Sequence, residues 1–163
     1  MPERKTIERA REDAREGKSA STQAGEFVRE EIHHIREGKH GASSPQQAIA
    51  IGLSKARRAG VKLAPPAKGK TSAKVRDQAR RDNRKGRKRA TGTPSPRRSR
   101  ATLGALKKEG TRAASHKSLS RQAAASAKRR GASARHQAAM RSVRTKSAAV
   151  RSAAAKKAAR ARG

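Results

Sequence analysis

The chain has 163 residues, 44 lysines and arginines against 12 aspartates and glutamates, a formal net charge of +32, one aromatic side chain and no cysteine. So much charge with so few bulky apolar groups excludes one large hydrophobic core, because burial cannot offset chain entropy over most of the length. Lack of cysteine excludes disulfide scaffolds and thiolate metal sites, and no apolar run approaches the roughly 20 residues that span a bilayer.

The charge is partitioned. Residues 1–37 hold 8 basic and 9 acidic side chains, residues 38–64 hold 5 basic and none acidic, and residues 65–163 hold 31 basic and 3 acidic, Asp77, Asp82 and Glu109. A near-neutral head joined to a cationic tail predicts a mostly α protein: a small N-terminal helical hairpin and a long, largely disordered basic Ala/Lys/Arg-rich tail that forms helices on binding. The expected segments are a polar helix in 1–20, the hairpin head in 21–63, a Pro/Gly/basic linker in 64–100 and the cationic tail in 101–163.

In chain order, Thr6 to Glu16 is polar nearly all round and has Gly17 as its stop. In 21-STQAGEFVREEIHHIREGKHG-41, Ala24, Phe27, Val28, Ile32 and Ile35 fall on one helical face, with Ser21 or Thr22 as cap and Gly38 as terminator. The next helix is sharply punctuated. Ser44 is its N-cap, Pro45 takes the first helical position, and Gln47 completes an S-x-x-Q capping box. Ile49, Gly52, Leu53, Ala56 and Ala59 share its apolar face, Gly60 supplies a left-handed stop, and Pro65-Pro66 prevents continuation. The apolar faces of this hairpin, Phe27, Val28, Ile32 and Ile35 against Ile49, Leu53 and Ala56, are too small a core to be secure alone and are expected to meet a second copy or another protein. Lys55, Arg57 and Arg58 cluster at the end of the second helix, not near its start, which disfavours a groove-reading helix-turn-helix.

The linker 64-APPAKGKTSAKVRDQARRDNRKGRKRATGTPSPRRSR-100 has Pro, Gly and charge content that argues against packing. Its Ala64-to-Thr71 run ends like a phosphate loop but lacks the first glycine and a preceding strand. The Ser95-Pro96-Arg97-Arg98 unit resembles the S/T-P-basic-basic units of linker and sperm histone tails, where a proline turn presents arginines to the narrow minor groove. Beyond it, alanine and arginine favour helix over about 116–130 and 134–160, with Gly131 as a break.

The cations expected to meet phosphate are Arg84, Lys85, Arg87, Lys88 and Arg89, then Arg97, Arg98, Arg100, Lys107 and Lys108, then Lys128, Arg129, Arg130, Arg141 and Arg144, and finally Arg151, Lys156, Lys157, Arg160 and Arg162. Base stacking is not expected, since Phe27 is the sole aromatic. His33 and His34 are neighbours on a helix and point apart, and Glu30, Glu31 and Glu37 read as a solvated face, so neither a metal nor acid–base catalysis is expected. Too few bulky residues remain to enclose a pocket, so no cofactor, small-molecule substrate or enzymatic activity is expected.

The segment Gln47–Gly60 resembles a Q-A-[IV]-A-I-[AG]-L-S-x-A-R-[KR]-x-G signature found in a family of small, basic, largely uncharacterised bacterial proteins often labelled DNA-binding, with Pro45-Gln46 standing where a basic pair is expected. That resemblance extends over residues 21–63 and implies a bacterial or bacterial-virus origin. The tail is similar in composition to linker-histone tails and bacterial histone-like proteins. Together these readings predict a cytoplasmic, nucleoid-associated, histone-like protein. It would bind and compact double-stranded DNA without sequence preference, through its tail, while the head mediates self-association or a partner contact. The second reading is an RNA- or ribosome-associated structural protein.

Overall fold

The computed structural model describes residues 2–87 and 95–145, together with positions 149, 152, 153, 156, 159 and 160. Lys88, Arg89, Arg151, Lys157 and Arg162 lie outside the described residues. Among the described residues the fold is mostly helical, with six α-helices and no strand. None of these helices is long and apolar enough to cross a membrane. The helices are α1 (Arg4–Arg15), α2 (Ala20–Arg36), α3 (Pro45–Arg58), α4 (Ala73–Arg87), α5 (Pro96–Lys107) and α6 (His116–Thr145), with a short 3-10 turn at Arg112–Ala114 before α6.

The chain forms two compact units, Met1–Leu119 and Ser120–Gly163. The first is far larger than the hairpin expected at 21–63. Its helix ends follow local chemistry. Gly17, Gly38 and Gly60 all have positive φ. After α3 the Gly60 N–H donates to the Arg57 carbonyl and the Val61 N–H to the Ala56 carbonyl, each at 3.1 Å, which is the Schellman pattern. Val61 and Ala56 then share a core cluster, so the stop also turns the chain inward. At the other end of α3, Ser44 Oγ accepts from the Gln47 N–H at 3.2 Å, as the capping box requires. Gln47 reaches one residue further back than expected: its Oε1 accepts from the Ser43 N–H at 2.7 Å. The cap of α2 is Ser19, not Ser21 or Thr22, its hydroxyl accepting from the Thr22 N–H at 3.3 Å.

Two clusters make the core. Phe27, Ala24 and Ala56 pack with Ala10 and Val61, flanked by Ile7, Ala20, Leu53 and Leu63. Ile32 and Ile35 pack with Ala42, Ala48, Ala113 and Ala114, flanked by Val28 and Leu119. Burying a side chain such as Phe27 or Ile35 contributes about 1.5–3 kcal/mol. The apolar face of α3 is rotated from the expected one. Ala48, Gly52 and Ala56 are buried, whereas Ile49 is half-buried and Ala59 exposed. Small residues win this face because α2 comes so close: a Cβ on Gly52 would lie 2.7 Å from the Val28 Cα. The head's apolar faces are therefore met within one chain, by α1 on one side and by residues 113–119 on the other.

The segment expected to be an unpacked linker carries α4, which packs on α3 with Ala79 and Asp82 buried. The start of the expected tail also docks. The Gly41 N–H donates to the Leu106 carbonyl at 2.9 Å and the Ala42 N–H to the Gly110 carbonyl at 3.1 Å, while Arg36 Nε donates to the Ala114 carbonyl at 2.9 Å. Where disorder was expected, residues 96–107 and 116–145 are helical. In the second unit the backbone leaves helical geometry at Gly131 (φ 76, ψ 171), the break expected there.

Replacing Gly52 tests the close crossing. Alanine improves intrinsic helix propensity by about 1 kcal/mol, but its methyl meets backbone that cannot step aside, an overpacking cost of about 1–3 kcal/mol. Gly52→Ala is expected to lower the melting temperature, and Gly52→Val to lower it further, in thermal unfolding followed by circular dichroism.

Candidate functional site

Of the three cations at the end of α3, Arg57 is buried, Lys55 is half-buried and Arg58 is exposed, and Lys55 and Arg58 are each paired with a buried carboxylate. Lys55 Nζ lies 2.5 Å from Glu31 Oε2 and 3.6 Å from Glu30 Oε1. Arg57 is buried, its Nη2 donating to the Ala64 carbonyl at 3.4 Å. Burial pulls the Arg57 pKa below the usual guanidinium range, and the nearby Asp82 charge opposes that shift. Arg58 Nε donates to Asp82 Oδ1 at 2.7 Å. All three therefore have partners within the fold: Lys55 with Glu31, Arg57 with the Ala64 carbonyl and Arg58 with Asp82.

Asp82 explains the position of α4. Its carboxylate is 1% exposed and also accepts from Ser54 Oγ at 2.6 Å and from Gln78 Nε2 at 3.1 Å. One helical turn on either side, Ala79 is buried and Gly86 lies against α3, where a Cβ would fall on the Arg57 carbonyl oxygen. Asn83 Nδ2 donates to the Leu63 carbonyl at 3.0 Å. Ala79, Asp82, Asn83 and Gly86 follow i, i+3, i+4, i+7 spacing, a docking stripe made of small and polar residues. Apolar periodicity misses such a stripe; an aspartate one turn from an alanine and a glycine in a basic run was the available signal.

With that stripe inward, α4 exposes Arg84, Lys85 and Arg87. Ser95-Pro96-Arg97-Arg98 does not form a free turn: Pro96 opens α5 as its first residue, and the Ser99 N–H donates to the Ser95 carbonyl at 2.9 Å. Arg97, Arg98 and Arg100 are exposed on that helix, as are Lys107 and Lys108 at its end. In the second unit Lys128, Arg129, Arg130, Arg141, Lys156 and Arg160 are exposed, and Arg144 lies within α6.

A second constellation sits inside the first unit. Glu30 and Glu31 are buried at 6% and 0% exposure, not solvated as expected. His33 does point out, with Nδ1 3.5 Å from Glu37 Oε1. His34 turns in, with Nε2 2.8 Å from Glu3 Oε1. That hydrogen bond holds the Glu3 carboxyl below the usual carboxylate range. His40, folded back past the Gly38 stop and buried, brings Nε2 to 3.3 Å from Glu31 Oε1 while Nδ1 lies 3.1 Å from the Gly41 carbonyl. Glu31, His34 and His40 each offer one atom within 4.8 Å of the other two.

No family model, curated protein or solved structure matches the chain. The Gln47–Gly60 resemblance therefore carries no assignment, and the functional reading rests on charge and geometry.

Asp82→Ala removes charge-assisted hydrogen bonds worth about 1.5–3 kcal/mol each when shielded, with the low end expected because the Arg58 side chain is 51% exposed. The variant is expected to lose about 1–3 kcal/mol and to show accelerated amide hydrogen exchange across Ala73–Arg87 while Ile32 and Ile35 stay protected. Unchanged exchange in α4 would contradict Asp82 as its anchor.

Proposed function

We propose that the protein is a histone-like DNA-binding protein that neutralises duplex phosphates without reading sequence, and that it compacts DNA by engaging more than one duplex segment. What supports this reading most is the fate of the few carboxylates in the basic region. Of the three acids among residues 65–163, which hold 31 basic side chains, Asp82 is turned inward, leaving Asp77 and Glu109 to offset the surface. A surface so unbalanced attracts any dense polyanion, and each neutralised phosphate releases counterions.

Duplex is favoured over single strands because Phe27, the sole aromatic, is 1% exposed and offers no face for base stacking. Phosphate contact without base contact positions a protein but does not select a sequence. The helical form of residues 96–107 and 116–145 suits this role, since it spreads Arg97, Arg98, Lys128 and Arg129 along rods that lie against a backbone. Because the apolar faces of α2 and α3 are covered within one chain, we assign the bridging of duplexes to the cations of α4, α5 and α6 and not to those faces.

The test is a salt titration of duplex binding. Replacing Lys128, Arg129 and Arg130 together by glutamine is expected to weaken binding equally for unrelated sequences and to flatten the slope of log K against log salt by up to about 3, at roughly 0.9 per phosphate contact. An unchanged slope and affinity would sink the proposal. Preferential recovery of ribosomal RNA over chromosomal DNA on purification would favour an RNA-associated structural role instead.

A further inference from the structure

We propose that Glu31, His34 and His40 form a binding site for one zinc-class divalent cation. The donor set, two imidazoles and one carboxylate, is one that zinc takes with a further position left to solvent. Spacing and burial support it. In a tetrahedron with ligands about 2.0–2.1 Å from zinc, ligand atoms stand roughly 3.3 Å apart, and His40 Nε2 is 3.3 Å from Glu31 Oε1. Each of the three residues offers a ligand atom within 4.8 Å of the other two.

The surroundings match what metal-bound histidines need. A ligating imidazole commonly gives its other nitrogen to a carbonyl or carboxylate, which fixes the ring and leaves the free lone pair for the metal. His40 has the Gly41 carbonyl 3.1 Å from Nδ1, and His34 has the Glu3 carboxylate beside it. Both Glu31 oxygens are buried without a well-formed hydrogen bond.

The charged groups around the site are Glu3, Glu30 and Glu31 with Lys55 and Lys39, the latter 3.7 Å from Glu3 Oε1, while Arg9 and Arg29 of the adjoining cleft pair with Glu26. Lys55 sits on Glu31 Oε2 and leaves Oε1 to the metal. A surface cleft of about 450 Å³ reaches one of the three ligands, His34, and is lined also by Glu3, Lys5, Glu30 and Lys39.

The site is independent of the nucleic-acid reading, and its test uses the full chain freed of metal with EDTA. Added Zn2+ is expected to raise the melting temperature and to saturate at one ion per chain in calorimetric titration. Co2+ is expected to give the visible absorption of a low-symmetry nitrogen–oxygen site, and Mg2+ to do neither, because imidazole selects late first-row metals. His34→Ala and His40→Ala are each expected to weaken Zn2+ binding about tenfold or more, whereas His33→Ala, whose ring faces Glu37, is expected to leave it unchanged. Circular dichroism in EDTA shows whether each variant is folded. Should His40→Ala not fold, the half-buried His34 carries the comparison against His33. Absence of stoichiometric Zn2+ binding, equal response to Mg2+, or loss in His33→Ala with retention in His34→Ala would overturn the proposal.

Discussion

Lys55 lays its ammonium against Glu31, within reach of Glu30, and joins α3 to α2 by buried charge. A core of alanines, two isoleucines, one valine and one phenylalanine has little hydrophobic surplus, so this pairing carries unusual weight. Burying such charges gains little over an apolar replacement, but removing one partner strands the other at a cost of about 3–5 kcal/mol. Glu30 in turn accepts from the Glu3 N–H at 3.2 Å, tying the start of α1 to the same point. With α3 held there, Ser54 and Arg58 present the surface on which Asp82 seats α4. The head and the placement of α4 both depend on the contact between α2 and α3.

The electrostatic consequence is a separation of roles among residues of the same type. Arg57 is buried and Lys55 and Arg58 pair with buried carboxylates, although all three look like surface cations in the sequence. Glu31 and Asp82 are used with them and do not temper the outer field. Each acid drawn inward leaves the exposed lysines and arginines of α4, α5 and α6 less compensated. A protein with a formal charge of +32 thus keeps a packed unit by spending its acids where geometry needs them and leaving repulsion to the solvent-facing helices. Burial of Glu31 beside two histidines has a further effect, because it gathers two donors of α2, Glu31 and His34, with His40 from the loop beyond that helix.

Local chemistry was legible in the chain. Ser44, Pro45 and Gly60 mark the ends of α3, Gly17 and Gly38 end α1 and α2, and Gly131 breaks α6, because caps, prolines and left-handed stops act within one turn of backbone. The members of the α2 face, Phe27, Ile32 and Ile35, were legible for the same reason: helical periodicity needs no partner to be seen. Which residues of α3 would be buried was not. Ala48 displaces Ile49 because the distance between two backbones, and not side-chain size, chose that face. The docking of α4 was hidden because its stripe of Ala79, Asp82, Asn83 and Gly86 is polar, and a polar stripe is indistinguishable from solvent-facing sequence until its partner is known.

The sequence by itself determined the helical class, the positions where α1, α2 and α3 stop, and the strong polarisation of charge toward the C-terminal half. These follow from backbone stereochemistry and from counting. Only the tertiary structure decided how far the packed unit extends, which cations are buried, and that Glu31, His34 and His40 converge. His40 lies beyond the Gly38 turn, so its approach to Glu31 depends on where the chain is carried after α2, and the burial of both depends on α3. Such convergence is a property of distances across the fold, and no spacing along the chain encodes it.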